Sequence, residues 1–106
     1  METKLYIESP QNGKELLPLV RAAIEAEINK LELAMELANK RLAPFEERYN
    51  VTSAYFIENW AAENLNGGDD EYVSWVGEYQ LQQRLQKRLL QLKEIQYVDT
   101  ELLRSH

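Results

Sequence analysis

From Ile24 onward the apolar residues recur in alternating steps of four and three, through Ile28, Leu31, Met35, Ala38, Leu42 and Phe45 to Tyr49. That spacing is a heptad seam, and it predicts one long amphipathic α-helix of some thirty residues rather than strands or short segments. At about 1.5 Å per residue such a helix is about 45 Å long, and it holds its shape in water only by packing its seam against something. A second set of apolar residues, Leu19, Ala26, Leu33 and Leu37, lies off the seam on the other side of the same helix.

The rest of the chain supplies the packing partner. Pro44 lies inside the seam, which continues past it to Tyr49, so a kink is favoured over a break. Asn50 to Ser53 ends the helix, and Thr52 or Ser53 caps a short amphipathic helix that carries Tyr55, Phe56, Trp60 and Leu65. Asn66-Gly67-Gly68 is the clearest stop, and Asp69-Asp70-Glu71 after it suits the positive end of a new helix. This last helix carries a stripe of Leu81, Leu85, Leu89 and Leu92, with Tyr72, Val76, Tyr79, Leu90 and Tyr97 on another face.

The expected fold is therefore all-α: a long antiparallel, coiled-coil-like helical hairpin with a short connecting helix at its tip. Its helices are predicted over 15–49, 53–65 and 69–97, within a domain of residues 14–98. Residues 1–13 form an arm or short strand around Leu5-Tyr6-Ile7, and 99–106 form a C-terminal tail. Two long helices with two apolar faces each expose more apolar stripe than one intramolecular contact covers, so dimerisation into a helical bundle is expected. The alternative is that the short helix and the arm cover the spare faces within one chain.

The chain's 106 residues carry a formal charge of −6, with a pI of about 4.8. The excess is local. Residues 14–43 balance, whereas Glu46, Glu47, Glu58, Glu63, Asp69, Asp70 and Glu71 stand against Arg48 alone in residues 44–71, the tip of the expected hairpin. An acidic chain is a poor ligand for nucleic-acid phosphates, and Arg84, Lys87, Arg88 and Lys93 are expected to pair across the hairpin instead. The tip is also aromatic, and aromatic anchors with charged surroundings are the makings of a protein-binding surface. The candidate partner-binding residues are Tyr55, Phe56, Trp60, Asp69, Asp70, Glu71, Trp75 and Tyr79. Aromatics at helical spacing also build cores, and both readings are open at this level.

Catalytic and metal chemistry find no footing in the residues. With no Cys, and with His106 as its one histidine, the chain offers no thiolate site, no triad and no His-carboxylate pair. The stretch from Asn64 to Glu71 fails the spacing of a calcium loop, because the required Gly position is Asp69 and the closing Glu position is Trp75. No cofactor, no metal and no enzymatic activity are expected. With no signal-peptide pattern and no long apolar run, a cytoplasmic protein that does not enter the membrane is expected.

The run Phe45-Glu46-Glu47-Arg48-Tyr49-Asn50-Val51-Thr52-Ser53-Ala54-Tyr55-Phe56, followed by Gly68-Asp69-Asp70-Glu71-Tyr72-Val73-Ser74-Trp75, resembles a family of small acidic all-helical prokaryotic proteins. These are candidate antitoxins encoded beside TumE-like toxins. The resemblance covers roughly residues 31–97 and departs from the family pattern at Pro44 and at Asn50, where a Gly is common. It implies an antitoxin-like module that neutralises a basic toxin, encoded nearby, by direct binding through the acidic, aromatic tip. The alternative is a homodimeric helical scaffold with no toxin partner.

Overall fold

The computed structural model describes the backbone of residues 13–104 and the side chains of residues 16–98. Helix α1 (Gly13–Tyr49) leads to a short α2 (Ser53–Asn59), a single 3-10 turn (Ala62–Asn64) and α3 (Gly68–Arg104), with no strand among the described residues. Each long helix has 37 residues, about 55 Å at the standard rise. The molecule accordingly measures 62 × 22 × 21 Å.

The cross-helix pairs fix the direction of packing. Arg48 meets Glu71 at 2.9 Å and Arg41 meets Glu78 at 2.8 Å. Further from the tip, Gln82 donates to Asn39 and Lys93 lies 3.7 Å from Glu32. Each step down α1 is matched by a step up α3, so the hairpin is antiparallel. The seam faces inward as its period demands: Ile28, Leu31, Ala38 and Leu42 are buried, and Ile24, Met35, Phe45 and Tyr49 are half-buried beside them.

Helix α1 runs unbroken through Pro44. The proline ring is exposed, as is Lys40 one turn earlier, so the carbonyl that loses its donor stands on the water-facing side. The helix ends on Asn50, whose φ of 54° places it in the left-handed region. The Val51 N–H reaches back to the Glu46 carbonyl at 3.3 Å, which is the long hydrogen bond of a Schellman ending. Thr52 then caps α2, its Oγ1 accepting from the Tyr55 N–H at 3.1 Å.

The segment expected as one helix over 53–65 is divided. Helix α2 stops at Asn59, Trp60 and Ala61 are extended, and the 3-10 turn follows. Geometry explains the break. Phe56 and Leu65 are both buried in one cluster, yet nine residues at about 100° each would set them on opposite faces of a continuous helix. The chain leaves the helix after one side has been used and brings Leu65 back to the same core.

Helix α3 extends past the expected end at Tyr97 to Arg104. The expected N-terminal arm falls, apart from Gly13, outside the described residues, as do Ser105 and His106. No helix among the described residues is long and apolar enough to cross a membrane.

Candidate functional site

The tip is organised around Trp75, which is fully buried on α3. Its ring stacks on Phe56 of α2 with centroids 3.7 Å apart and planes 4° from parallel. It also stacks with Phe45 at 5.4 Å and Tyr49 at 5.7 Å, both from the end of α1. Tyr72 meets Phe56 edge-on at 5.4 Å, and Trp60 meets Tyr49 edge-on at 5.5 Å. Ring pairs of these kinds each contribute about 0.5–1.5 kcal/mol beyond the area they bury. Leu42 and Leu65 complete the cluster.

Two carboxylates fasten the same elements by their polar edges. The Trp75 Nε1–H donates to the Ser53 hydroxyl at 2.8 Å. Ser53 in turn donates both its backbone N–H and its hydroxyl to Glu46 Oε2, at 2.8 and 2.9 Å. A polar chain thus runs from α3 through the start of α2 to α1, and among the described residues no buried side-chain polar atom lacks a partner. That is the condition under which buried polar groups cost least.

The second carboxylate is Glu71. It accepts from Arg48 Nη1 at 2.9 Å and from the Tyr49 hydroxyl, while the Tyr49 oxygen accepts from the Asn66 N–H at 3.0 Å. Burial first, and then donation to the Glu71 carboxylate, raise the Tyr49 phenol above its ordinary value of 10.0. Gly67 is required here by space. A Cβ on it would lie 2.8 Å from the Glu71 Cβ, while Gly68 opens α3 with a φ of +61° that suits glycine.

These contacts redistribute the candidate partner-binding residues. Phe56 and Trp75 present no surface and belong to the core. Trp60 and Tyr79 are half-buried against the same cluster, and Glu71 is committed to Arg48 and Tyr49. Tyr55, Asp69 and Asp70 do lie exposed at the tip. Sequence reasoning passed over Val73, which is 67% exposed in the turn of α3 after Asp70, and set Glu58 and Glu63 aside as mere contributors to the charge. Both are exposed, and no ion pair among the described residues engages Glu58, Glu63, Asp69 or Asp70. The structural roles of Glu46 and Ser53 were likewise missed, because nothing in the local sequence marks a hydrogen bond from Trp75, 22 residues away.

Along the shaft the faces divide differently. Leu19, Leu33 and Leu37 on the outer side of α1 are exposed, as are Leu90 and Tyr97 on α3. Of the four basic residues of α3 expected to pair across the hairpin, Lys93 does so. Arg84, Lys87 and Arg88 are exposed, with no ion pair among the described residues. Comparison of the chain with protein-family models, with curated proteins and with solved structures found no match.

Proposed function

We propose that this chain is a protein-binding module, and not an enzyme, whose acidic tip docks a basic protein. The observation that carries this reading is the set of exposed carboxylates with no ion pair among the described residues, Glu58, Glu63, Asp69 and Asp70, at the tip that also exposes Tyr55 and Val73. Unpaired surface charge of one sign steers and selects an oppositely charged partner, and a partly exposed apolar side chain beside it provides contact area. The resemblance of residues 31–97 to candidate antitoxins gives this partner a class, a basic toxin encoded nearby, and the action of binding a neutralisation. Placed on a rigid aromatic core, the tip meets its partner already formed, so little ordering entropy opposes association.

The exposed leucines of α1 favour a second reading, a homodimeric scaffold in which the shaft packs against another copy. Expression of the untagged chain together with the product of the neighbouring gene separates the two. The proposal expects a stable heteromeric complex to co-elute. Recovery of the chain as a pure homodimer, with the neighbour's product unbound, would overturn it in favour of the scaffold.

A further inference from the structure

Asn66 and Gly67 are both exposed, in the turn that leads into α3. We propose that Asn66 is a self-modifying site, in which spontaneous conversion to isoaspartate unfastens the start of α3 from the end of α1.

The reaction needs an asparagine carboxamide free to turn onto the next backbone nitrogen, and a successor whose side chain does not obstruct the approach. Asn66 meets both conditions. Its carboxamide makes no hydrogen bond among the described residues, the Gly67 N–H donates to none of their groups, and Gly67 has no Cβ. The other asparagines with described side chains fail one condition or the other; Asn12, which also precedes a glycine, lies outside the described residues. The Asn59 carboxamide is tied to the Tyr55 carbonyl at 2.9 Å and the Asn64 carboxamide accepts from the Ala61 N–H at 2.8 Å. Asn50 is followed by β-branched Val51, while Asn29 and Asn39 lie inside α1 with a lysine next in each case.

The Gly67 nitrogen loses its proton to water or hydroxide and bonds to the Asn66 Cγ. The Cγ–Nδ2 bond breaks and ammonia leaves, which closes a five-membered succinimide. Water then opens the ring. Cleavage at Cγ yields aspartate, and cleavage at the former main-chain carbonyl yields isoaspartate, in which the chain runs through Cβ and Cγ. The net change is one water taken up and one ammonia released.

Isoaspartate adds a methylene to the main chain between residues 66 and 67, where even a Cβ on Gly67 would lie 2.8 Å from the Glu71 Cβ. It also adds a carboxylate near Glu71 and displaces the N–H that Asn66 donates to Tyr49. The Tyr49 to Glu71 fastening between the long helices is the contact that suffers. Charge alone is a smaller insult than charge with a lengthened chain.

The test ages the full chain in warm, mildly alkaline buffer, with a synthetic peptide of residues 61–72 as the chemical reference, and maps products by tandem mass spectrometry. The expected result is a product one mass unit heavier at Asn66, mostly isoaspartate, forming at a rate comparable to that in the peptide and absent in Asn66→Gln. An Asn66 that stays intact after the peptide has converted would overturn the proposal. The isolated isoaspartate form should melt at a lower temperature than Asn66→Asp, which carries the charge without the extra methylene. Equal melting of the isoaspartate and unmodified forms would overturn the unfastening.

Discussion

The indole N–H of Trp75 donates to the hydroxyl of Ser53 across 2.8 Å, in a place from which both residues exclude water. Ser53 passes the connection to Glu46, so two linked contacts join all three helices. Ser53→Ala leaves the indole N–H without its acceptor and should lower the unfolding free energy by about 1–3 kcal/mol. Trp75→Ala removes the centre of the cluster and should cost about 3–5 kcal/mol. Urea titrations followed by circular dichroism measure both. In a double-mutant cycle, Ser53→Ala should cost measurably less on a Trp75→Phe background, where there is no indole N–H to orphan.

The three glycines near and within α3 give contrasting expectations. Gly67→Ala drives a Cβ against Glu71 and should destabilise by about 1–3 kcal/mol. Gly68→Ala meets no neighbour but must hold a φ of +61°, so it should cost about 1 kcal/mol. Gly77 sits inside the helix with open space around it, and Gly77→Ala should stabilise by about 0.5–1 kcal/mol. Thermal melts of the three variants rank them.

Alkaline pH should weaken the tip through Tyr49. Its folded pKa is raised above 10.0, so above that pH the folded chain binds more protons at this site than the unfolded chain. The stabilisation is complete below pH 10.0 and is lost as pH rises through the folded value. The slope of stability against pH above 10.0 should be shallower in Tyr49→Phe than in the native sequence. Denaturant titrations across that range provide the comparison.

The outer face of α1 distinguishes self-association from a free monomeric hairpin. Leu33 and Leu37 are exposed one turn apart, so Leu33→Glu with Leu37→Glu should leave helicity unchanged. If the shaft pairs with another copy, sedimentation equilibrium should show the variant shifted towards monomer relative to the native sequence.

Much of the architecture could be read from residue spacing, because helices report their buried face as a period. Ile28, Leu31, Ala38 and Leu42 are buried where the heptad puts them, and Asn50 and Thr52 end and begin helices as their side chains favour. The break after Asn59 escaped because a continuous helix would set Leu65 opposite Phe56, and that the two share one core with Trp75 and Leu42 is decided in three dimensions. The candidate site was half legible. Charge at the tip is a sum over residues and survives folding, whereas the division of aromatics into core and surface depends on which ring Trp75 meets. Tyr55 and Phe56 are neighbours in sequence, yet one is exposed and the other has no surface at all. Glu71 looked like its neighbours Asp69 and Asp70, but a partner 22 residues away makes it structural.

The central claim is that the exposed carboxylates of the tip receive a basic protein. Its most direct measurement is the affinity for the co-expressed neighbour's product, by titration calorimetry at low and moderate salt, of the native chain and of Asp69→Lys with Asp70→Lys. These two positions are exposed and outside the Glu71 fastening, so circular dichroism should be unchanged. The account predicts a loss of affinity of about tenfold or more at low salt, and a weaker salt dependence in the variant. Unchanged affinity at low salt, with the fold intact, would contradict it.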